Sequence, residues 1–168
     1  MEKIFNNLTS VWTRLKTDNK PVVLYGMGDG ADKVLKAFEH FGIKASAVMA
    51  SDDFVRGQSF HGFKVKKLSE IEGEYGDFSI AICFASQLTD VMNIIKSVAK
   101  KHTTLVPSVP VFGDNLFDDN FIAENRDDIE TAYSLFADKL SKKVYENVLR
   151  FYYTGELSLL DEITTDKY

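Results

Sequence analysis

One stretch of the chain decides the fold: PVVLYGMGDGADKVLKAFEHF, from Pro21 to Phe41. Its opening residues, Val22 to Tyr25, favour β structure and carry no charge, which is typical of a strand covered on both faces in a parallel sheet. After a glycine-rich turn, apolar residues recur at helical spacing as far as Gly42, which is placed to end a helix. The stretch therefore predicts a strand, a tight turn and an amphipathic helix.

The turn has the pattern G-x-G-x-x-A, a variant of the dinucleotide-binding fingerprint that allows alanine at its third position. Its place between a strand and a helix is the context that this fingerprint requires. Small residues let a phosphate approach the backbone, and the first N–H groups of the helix point at it with the positive end of the helix dipole. The same glycines would also serve a purely structural turn, so both interpretations stay open. The candidate cofactor-binding residues here are Gly26, Met27, Gly28, Asp29, Gly30 and Ala31.

Two features of this fingerprint are unusual. Asp29 is predicted to be the N-cap of the helix, with Asp32 three positions on in a capping-box-like arrangement, yet a carboxylate in the turn repels a pyrophosphate. The acid that holds a ribose hydroxyl is expected about twenty residues on, after the next strand, Ala45 to Met49. The chain has Ala50-Ser51 there, and Asp52-Asp53 come only afterwards.

Two further loops are predicted at the carboxyl edge of the sheet, where ligands bind in open α/β folds. The loop of residues 51–62 carries groups able to grip a sugar or a phosphate, and its Arg56 is either an anion clamp or a surface residue paired with an acid. The second loop follows a buried strand, Phe78 to Phe84. The candidate binding residues in the two loops are Ser51, Asp52, Arg56, Ala85 and Ser86.

The alternation of strands and helices predicts an α/β fold: a Rossmann-like, doubly wound parallel sheet of about five strands in the order 3-2-1-4-5. An amphipathic helix over Met1 to Thr17 precedes the sheet, and a brief helix over Leu68 to Ile71 is expected to end at Gly73. The ligand crevice is predicted where the first and fourth strands part. The predicted strands are Val22–Tyr25, Ala45–Met49, Phe63–Val65, Phe78–Phe84 and Thr103–Val106.

The chain changes character after Gly113. We therefore predict a Rossmann-like nucleotide-binding domain with its N-terminal helix over residues 1–113, and a helical extension over residues 114–168. Asp114 to Asp128 is acidic and loop-like, whereas the spacing from Ile129 to Tyr153 is helical. Apolar side chains cover more of that helix than one packing face needs, which predicts self-association as a two-fold homodimer.

Composition excludes several classes of protein. The chain has 168 residues, 45% of them hydrophobic, and a net charge of −5, which suits one well-filled core with an appendage and argues against a nonspecific nucleic-acid binder. Cys83 is the only cysteine and sits in an apolar run, which favours a reducing, cytoplasmic compartment. No run approaches the roughly twenty apolar residues of a membrane span. Paired carboxylates, metal-ligand spacing and a Ser-His-Asp set are also lacking, so no catalytic residue and no metal site is predicted.

Two segments resemble a known family. The run VPSVPVFGDNLFDDNFIAENRDDIETAYSLFADKLSKKVYENVLRFYYTGE, Val106 to Glu156, resembles the segment that precedes the catalytic domain in bacterial FkbM-type S-adenosylmethionine-dependent methyltransferases. Upstream, VVLYGMGDGADKVLKAFEHFGIKASAVMASDDFVRGQSFHGFKV is similar to the Rossmann-like N-terminal domain of some members, which is related to nucleotide-sugar-binding domains of sugar-modifying enzymes.

The resemblance implies an ancillary domain that binds NAD(P), a nucleotide or a nucleotide-sugar and has no catalytic residue of its own. S-adenosylmethionine would bind in a methyltransferase domain in cis, which in that family begins shortly after a segment like Thr164 to Tyr168. Two other functions stay open. One is a small NAD(P)-dependent oxidoreductase or epimerase, although the sequence lacks a Tyr-x-x-x-Lys pair. The other is a noncatalytic protein-interaction module whose crevice is empty.

Overall fold

The computed structural model describes residues 2–163, with side chains from Ile4 onward, so Met1 and the segment Thr164 to Tyr168 lie outside the described residues. Its strands are β1 (Val22–Tyr25), β2 (Ala45–Met49), β3 (Ser59–Phe60), β4 (Phe63–Lys66), β5 (Ser79–Ile82) and β6 (Thr103–Leu105). They form one sheet in the order β3-β4-β2-β1-β5-β6. All neighbours are parallel except β3 and β4. The predicted order is confirmed for the five parallel strands, and β3 adds an antiparallel strand at one edge.

Helices cover both faces of this sheet. The described residues contain the helices α1 (Glu2–Phe5), α2 (Val11–Thr17), α3 (Asp29–Phe41), α4 (Leu68–Tyr75), α5 (Thr89–Ala99), α6 (Asp119–Glu124), α7 (Arg126–Leu135), α8 (Lys139–Thr154) and α9 (Ser158–Ile163). On one face α2 and α3 contribute Trp12 and Phe38 to a buried cluster, and on the other α4 and α5 contribute Ile71 and Ile95. Every residue of β1 is buried, because its side chains alternate between the two clusters. The predicted α/β class is therefore confirmed.

The prediction of one unbroken helix over Met1 to Thr17 was wrong. Ser10 caps α2, since its side-chain oxygen accepts a hydrogen bond from the N–H of Thr13 at 3.2 Å, and Asn7 turns the chain with a φ of 61°. The separated α1 packs away from the sheet. Its Ile4 shares a buried cluster with Ile129 and Leu149 of the C-terminal helices.

Three other helix boundaries differ from expectation, two of them because side-chain caps override the apolar spacing. The segment predicted as an acidic loop contains α6, whose N-cap Asp118 accepts from the N–H of Phe121 at 2.8 Å. The helix expected over Ile129 to Tyr153 is divided into α7 and α8 by Asp138, which accepts from the N–H of Ser141 at 2.8 Å. The helix expected to stop at Gly73 continues to Tyr75.

The apolar side chains in α7 and α8 are divided between the interior and the surface, where Leu140 is 60% exposed. Ile129, Leu149 and Tyr153 are buried, whereas Leu135 is 79% and Tyr152 43% exposed. The homodimer predicted from this stretch stays a prediction.

The C-terminal helices are joined to the edge of the sheet. The N–H of Val106 donates to the carbonyl of Gly155 at 2.9 Å, and Leu105 forms an antiparallel bridge with Glu156. Gly155 itself has a φ of 67° and ends α8. The division of the chain at residue 113 stays a prediction. Within residues 2–163, no helix has the length and apolar character needed to cross a membrane.

At the amino edge of the sheet, Glu72 connects α4 to the start of β6. Its carboxylate Oε1 lies 3.2 Å from Nε2 of His102, which is stacked on Phe78, and 3.5 Å from Nζ of Lys101. The hydrogen bond from His102, together with the charge of Lys101, holds the pKa of Glu72 below its usual value.

Glu72→Gln should therefore lower the melting temperature at neutral pH but not in acid. A carboxyl group whose pKa falls on folding stabilises the fold fully above its unfolded pKa of about 4.3, and this stabilisation is lost as the pH falls through the folded value. Thermal unfolding of both proteins at neutral pH and at about pH 3 measures the effect. A difference in Tm that is the same at both pH values would contradict the prediction.

Candidate functional site

The glycine turn connects β1 to α3 in a conformation that requires glycine at its first position. Gly26 has a φ of +122°, a region that other residues rarely adopt. Its N–H donates to the carbonyl of Met49 at 3.0 Å, so the turn is fixed to β2. A Cβ at this position would also lie only 3.0 Å from Cδ1 of Phe84.

The other small residues of the turn, Gly28, Gly30 and Ala31, lie in different environments. At Gly30 a Cβ would collide with the carbonyl oxygen of Cys83, so this glycine lets the first turn of α3 lie against the end of β5. Ala31 is fully buried, and its small size lets the helix pack closely on the sheet. Gly28 is the opposite case, because a Cβ there would have no atom within 4 Å. Its backbone faces open space.

The N-cap of α3 is Gly28, and the prediction that Asp29 caps the helix was wrong by one residue. The carbonyl of Gly28 already accepts from the N–H groups of Ala31 and Asp32 at 2.8 and 3.0 Å, which begins the helical ladder one position earlier. Asp29 is the first helical residue, and its carboxylate lies 2.9 Å from Nζ of Lys33. The carboxylate of Asp32 bonds Nε2 of His61 at 2.6 Å instead of the backbone.

On the β2 side of the turn, Gln58 fixes the loop of residues 51–58 against it. Its Nε2 contacts Sδ of Met27 at 3.2 Å and donates to the carbonyl of Phe54 at 2.6 Å, while its Oε1 accepts from the N–H of Arg56 at 2.6 Å. In the same region Oη of Tyr25 and Oγ of Ser51 are 2.6 Å apart. The loop predicted from the sequence is therefore held beside the glycine turn.

The charged candidates of this loop differ in their partners. Asp52 is exposed, and its carboxylate lies 4.0 Å from Nζ of Lys67. The guanidinium of Arg56 makes no ion pair or hydrogen bond with any residue that the structure describes. Pairing with a neighbouring acid, one of the two sequence interpretations of Arg56, is not found within residues 2–163.

On the other side of the turn lies a crevice of about 360 Å³. It is bounded by the start of α3, the end of β5 and residues 106–111, which belong to a segment, residues 106–114, that we call the strap. Nζ of Lys33 fastens the strap to α3 by donating to the carbonyl of Val111 at 3.0 Å. Most of the crevice is apolar, and its lining includes Ala85, Val106, Pro107, Val109, Phe151 and Tyr152.

The two candidate residues that follow β5, Ala85 and Ser86, lie in different surroundings. Ala85 lines the crevice, whereas Oγ of Ser86 accepts from the N–H of Leu88 at 3.2 Å, just ahead of α5. Cys83 is buried, and burial raises the pKa of its thiol to about 12, so it is not a nucleophile at neutral pH. Among residues 2–163, no group of three or more His, Cys, Asp and Glu side chains is arranged to hold a metal ion.

Tyr25 was not assigned to the site from the sequence, and Gln58 was counted only among the loop groups able to grip a sugar or a phosphate. Tyr25 ends β1, and a polar aromatic residue at the carboxyl end of a central strand is a signal that could have been used. The contact of Gln58 with Met27 spans 31 positions and has no local signal. No protein-family model, curated protein or solved structure matches this chain at a significant level.

Proposed function

We propose that this chain is an ancillary nucleotide- or nucleotide-sugar-binding domain of an FkbM-type methyltransferase and is not itself catalytic. One observation carries the proposal: the open N-cap Gly28 lies in a turn to which Gln58 fixes a polar loop. The resemblance of residues 106–156 supports the family, and S-adenosylmethionine would bind in a separate domain.

The turn fits a phosphate. No side chain caps α3, so the first N–H groups of this helix have no acceptor from the cap and can donate to a phosphate oxygen. A Cβ-free backbone at Gly28 allows that approach. The carboxylate of Asp29 opposes an anion, but its ion pair with Lys33 partly offsets the charge.

The loop of residues 51–58 suits a mononucleotide or a nucleotide-sugar better than the adenosine half of NAD. A carboxylate after the second strand commonly holds the ribose hydroxyls of NAD, and this position is occupied by Ser51. Its hydroxyl and that of Tyr25 can each donate and accept, and Arg56 adds a cation without a partner among the described residues. We therefore expect a mononucleotide or a nucleotide-sugar to bind more tightly than NAD.

Calorimetric titration of the whole chain with UMP, UDP-sugars, NAD and S-adenosylmethionine tests the proposal. A uridine or other nucleotide should bind with a dissociation constant below about 1 mM. Gly28→Val should raise this constant at least about tenfold, because its side chain would occupy the space through which the phosphate reaches the backbone. Gly73→Ala is the matched control, because a Cβ there also meets no atom within 4 Å but lies on α4.

Unchanged affinity in Gly28→Val, with Gly73→Ala also unchanged, would refute the glycine turn as the binding site. Binding of none of the nucleotides would refute the function. Tight binding of S-adenosylmethionine would contradict the assignment of the methyl donor to a separate domain.

A further inference from the structure

The end of the strap is held to α3 by two lysines. Nζ of Lys33 donates to the carbonyl of Val111 at 3.0 Å, and Nζ of Lys36 lies 2.6 Å from the carboxylate of Asp114. Residues 111–114, which we call the strap tip, have no other hydrogen bond or ion pair within residues 2–163. Burial adds little, since Val111 is 74% and Phe112 91% exposed. The strap tip is therefore attached almost entirely through the two lysines.

Free space adjoins the strap tip. The crevice extends to Val111, and a second cavity, of about 470 Å³, has Gly113 and Asp114 in its lining. Lys33 and Pro110 line both cavities, so the two meet at the strap. A weakly attached segment beside open space is expected to open at a low cost in free energy, without disturbing the buried core.

Lys33 also connects the strap tip to the glycine turn. The same Nζ lies 2.9 Å from the carboxylate of Asp29, the first residue of α3. Asp29 and Gly30 line the crevice together with Lys33, so the ammonium lies beside the proposed phosphate position. An ammonium binds a charged phosphate oxygen more strongly than a neutral carbonyl oxygen. A phosphate at the turn would therefore compete with the carbonyl of Val111 for Lys33.

We infer that the strap tip is a gate, which Lys33 closes and a phosphate at the glycine turn opens. The phosphate draws the ammonium away from the carbonyl of Val111, and the strap tip then moves away from α3. Opening joins the crevice to the second cavity and gives more room to a group attached to the phosphate. This regulation rests on the proposed function, since it requires a phosphate at the turn.

Chymotrypsin cleavage after Phe112 measures the opening. A protease acts on a segment that has left the body of the protein, so the cleavage rate follows the population of the open gate. Mass spectrometry of the fragments of the whole chain gives this rate with saturating UMP, with uridine and without ligand. UMP should increase the rate about fivefold, the effect of losing one hydrogen bond, whereas uridine, which has no phosphate, should leave it unchanged.

Lys33→Met tests the contact that closes the gate. Without ligand, this variant should be cleaved about fivefold faster than the natural chain, and UMP should add no further increase. Lys36→Met is the matched control, because Lys36 also anchors the strap tip but does not line the crevice. Its strap tip should be cleaved faster without ligand, and UMP should still increase the rate about fivefold.

Two results would overturn the gate and leave the nucleotide site standing. One is a cleavage rate that UMP leaves unchanged or lowers in a chain that binds UMP by calorimetry. The other is a Lys33→Met variant that is cleaved no faster than the natural chain. Failure of the chain to bind UMP or any other nucleotide would instead refute the proposed function, and the gate with it.

Discussion

Gly30→Ala is expected to be the most destabilising substitution in the glycine turn. Its Cβ would overlap the carbonyl oxygen of Cys83 and lie 3.0 Å from the carbonyl carbon. Both atoms belong to the backbone, so α3 would have to move away from β5 and disturb the buried residues Val34 and Phe38. Overpacking of this kind should lower the free energy of unfolding by about 3 kcal/mol. Urea unfolding followed by circular dichroism measures the loss.

Gly28→Ala provides the comparison within the same turn. Position 28 has an extended backbone, with a φ of −139°, and open space around the added Cβ. The substitution should cost less than about 1 kcal/mol, the usual difference between glycine and alanine at an N-cap. Equal stability of the two variants would contradict the close approach of α3 to β5 at Gly30.

Gly155→Ala should produce the second large loss of stability. Gly155 has a φ of +67°, and its Cβ would lie 2.8 Å from the carbonyl oxygen of Val106 and 3.0 Å from Cγ2 of Val11. The substitution therefore adds a collision at the junction of α8 and β6 to the strain of a left-handed backbone. Together these should cost about 2–3 kcal/mol in the free energy of unfolding.

Gly42→Ala separates the two contributions. Gly42 ends α3 with the same φ of +67°, but the nearest atom to its Cβ would be the flexible Nζ of Lys16 at 3.9 Å. Gly42→Ala should lower the free energy of unfolding by about 1 kcal/mol, the cost of the backbone strain alone. If Gly42→Ala and Gly155→Ala are equally destabilised, the junction between the C-terminal helices and the sheet is looser than the structure shows.

Much of the fold could be predicted because the information is local. The uncharged run Val22 to Tyr25 and the spacing of α3 are short-range patterns, and right-handed crossovers then restrict the strand order. The helix breaks were missed because the apolar spacing continues through them. A single polar side chain, Ser10 or Asp138, decides each break by satisfying backbone N–H groups.

The candidate site was predictable only in part. Topology places the glycine turn, Ser51 and Ala85 at one edge of the sheet. However, the contact of Gln58 with Met27 and the course of the strap over the crevice depend on side chains that are distant in sequence. The N-cap of α3 was predicted one position too late, at Asp29. Gly28 caps the helix with its backbone alone, which the preference for aspartate at N-caps does not anticipate.

We propose that the backbone amides of the glycine turn bind the phosphate of a nucleotide. The most direct test follows the amide resonances of the nitrogen-15-labelled chain during titration with UMP and a UDP-sugar. Saturable shifts are expected at Gly28, Asp29 and Gly30, and they should be absent in Gly28→Val. Shifts confined to residues outside the turn and the loop of residues 51–58, or no shifts at saturating nucleotide, would contradict it.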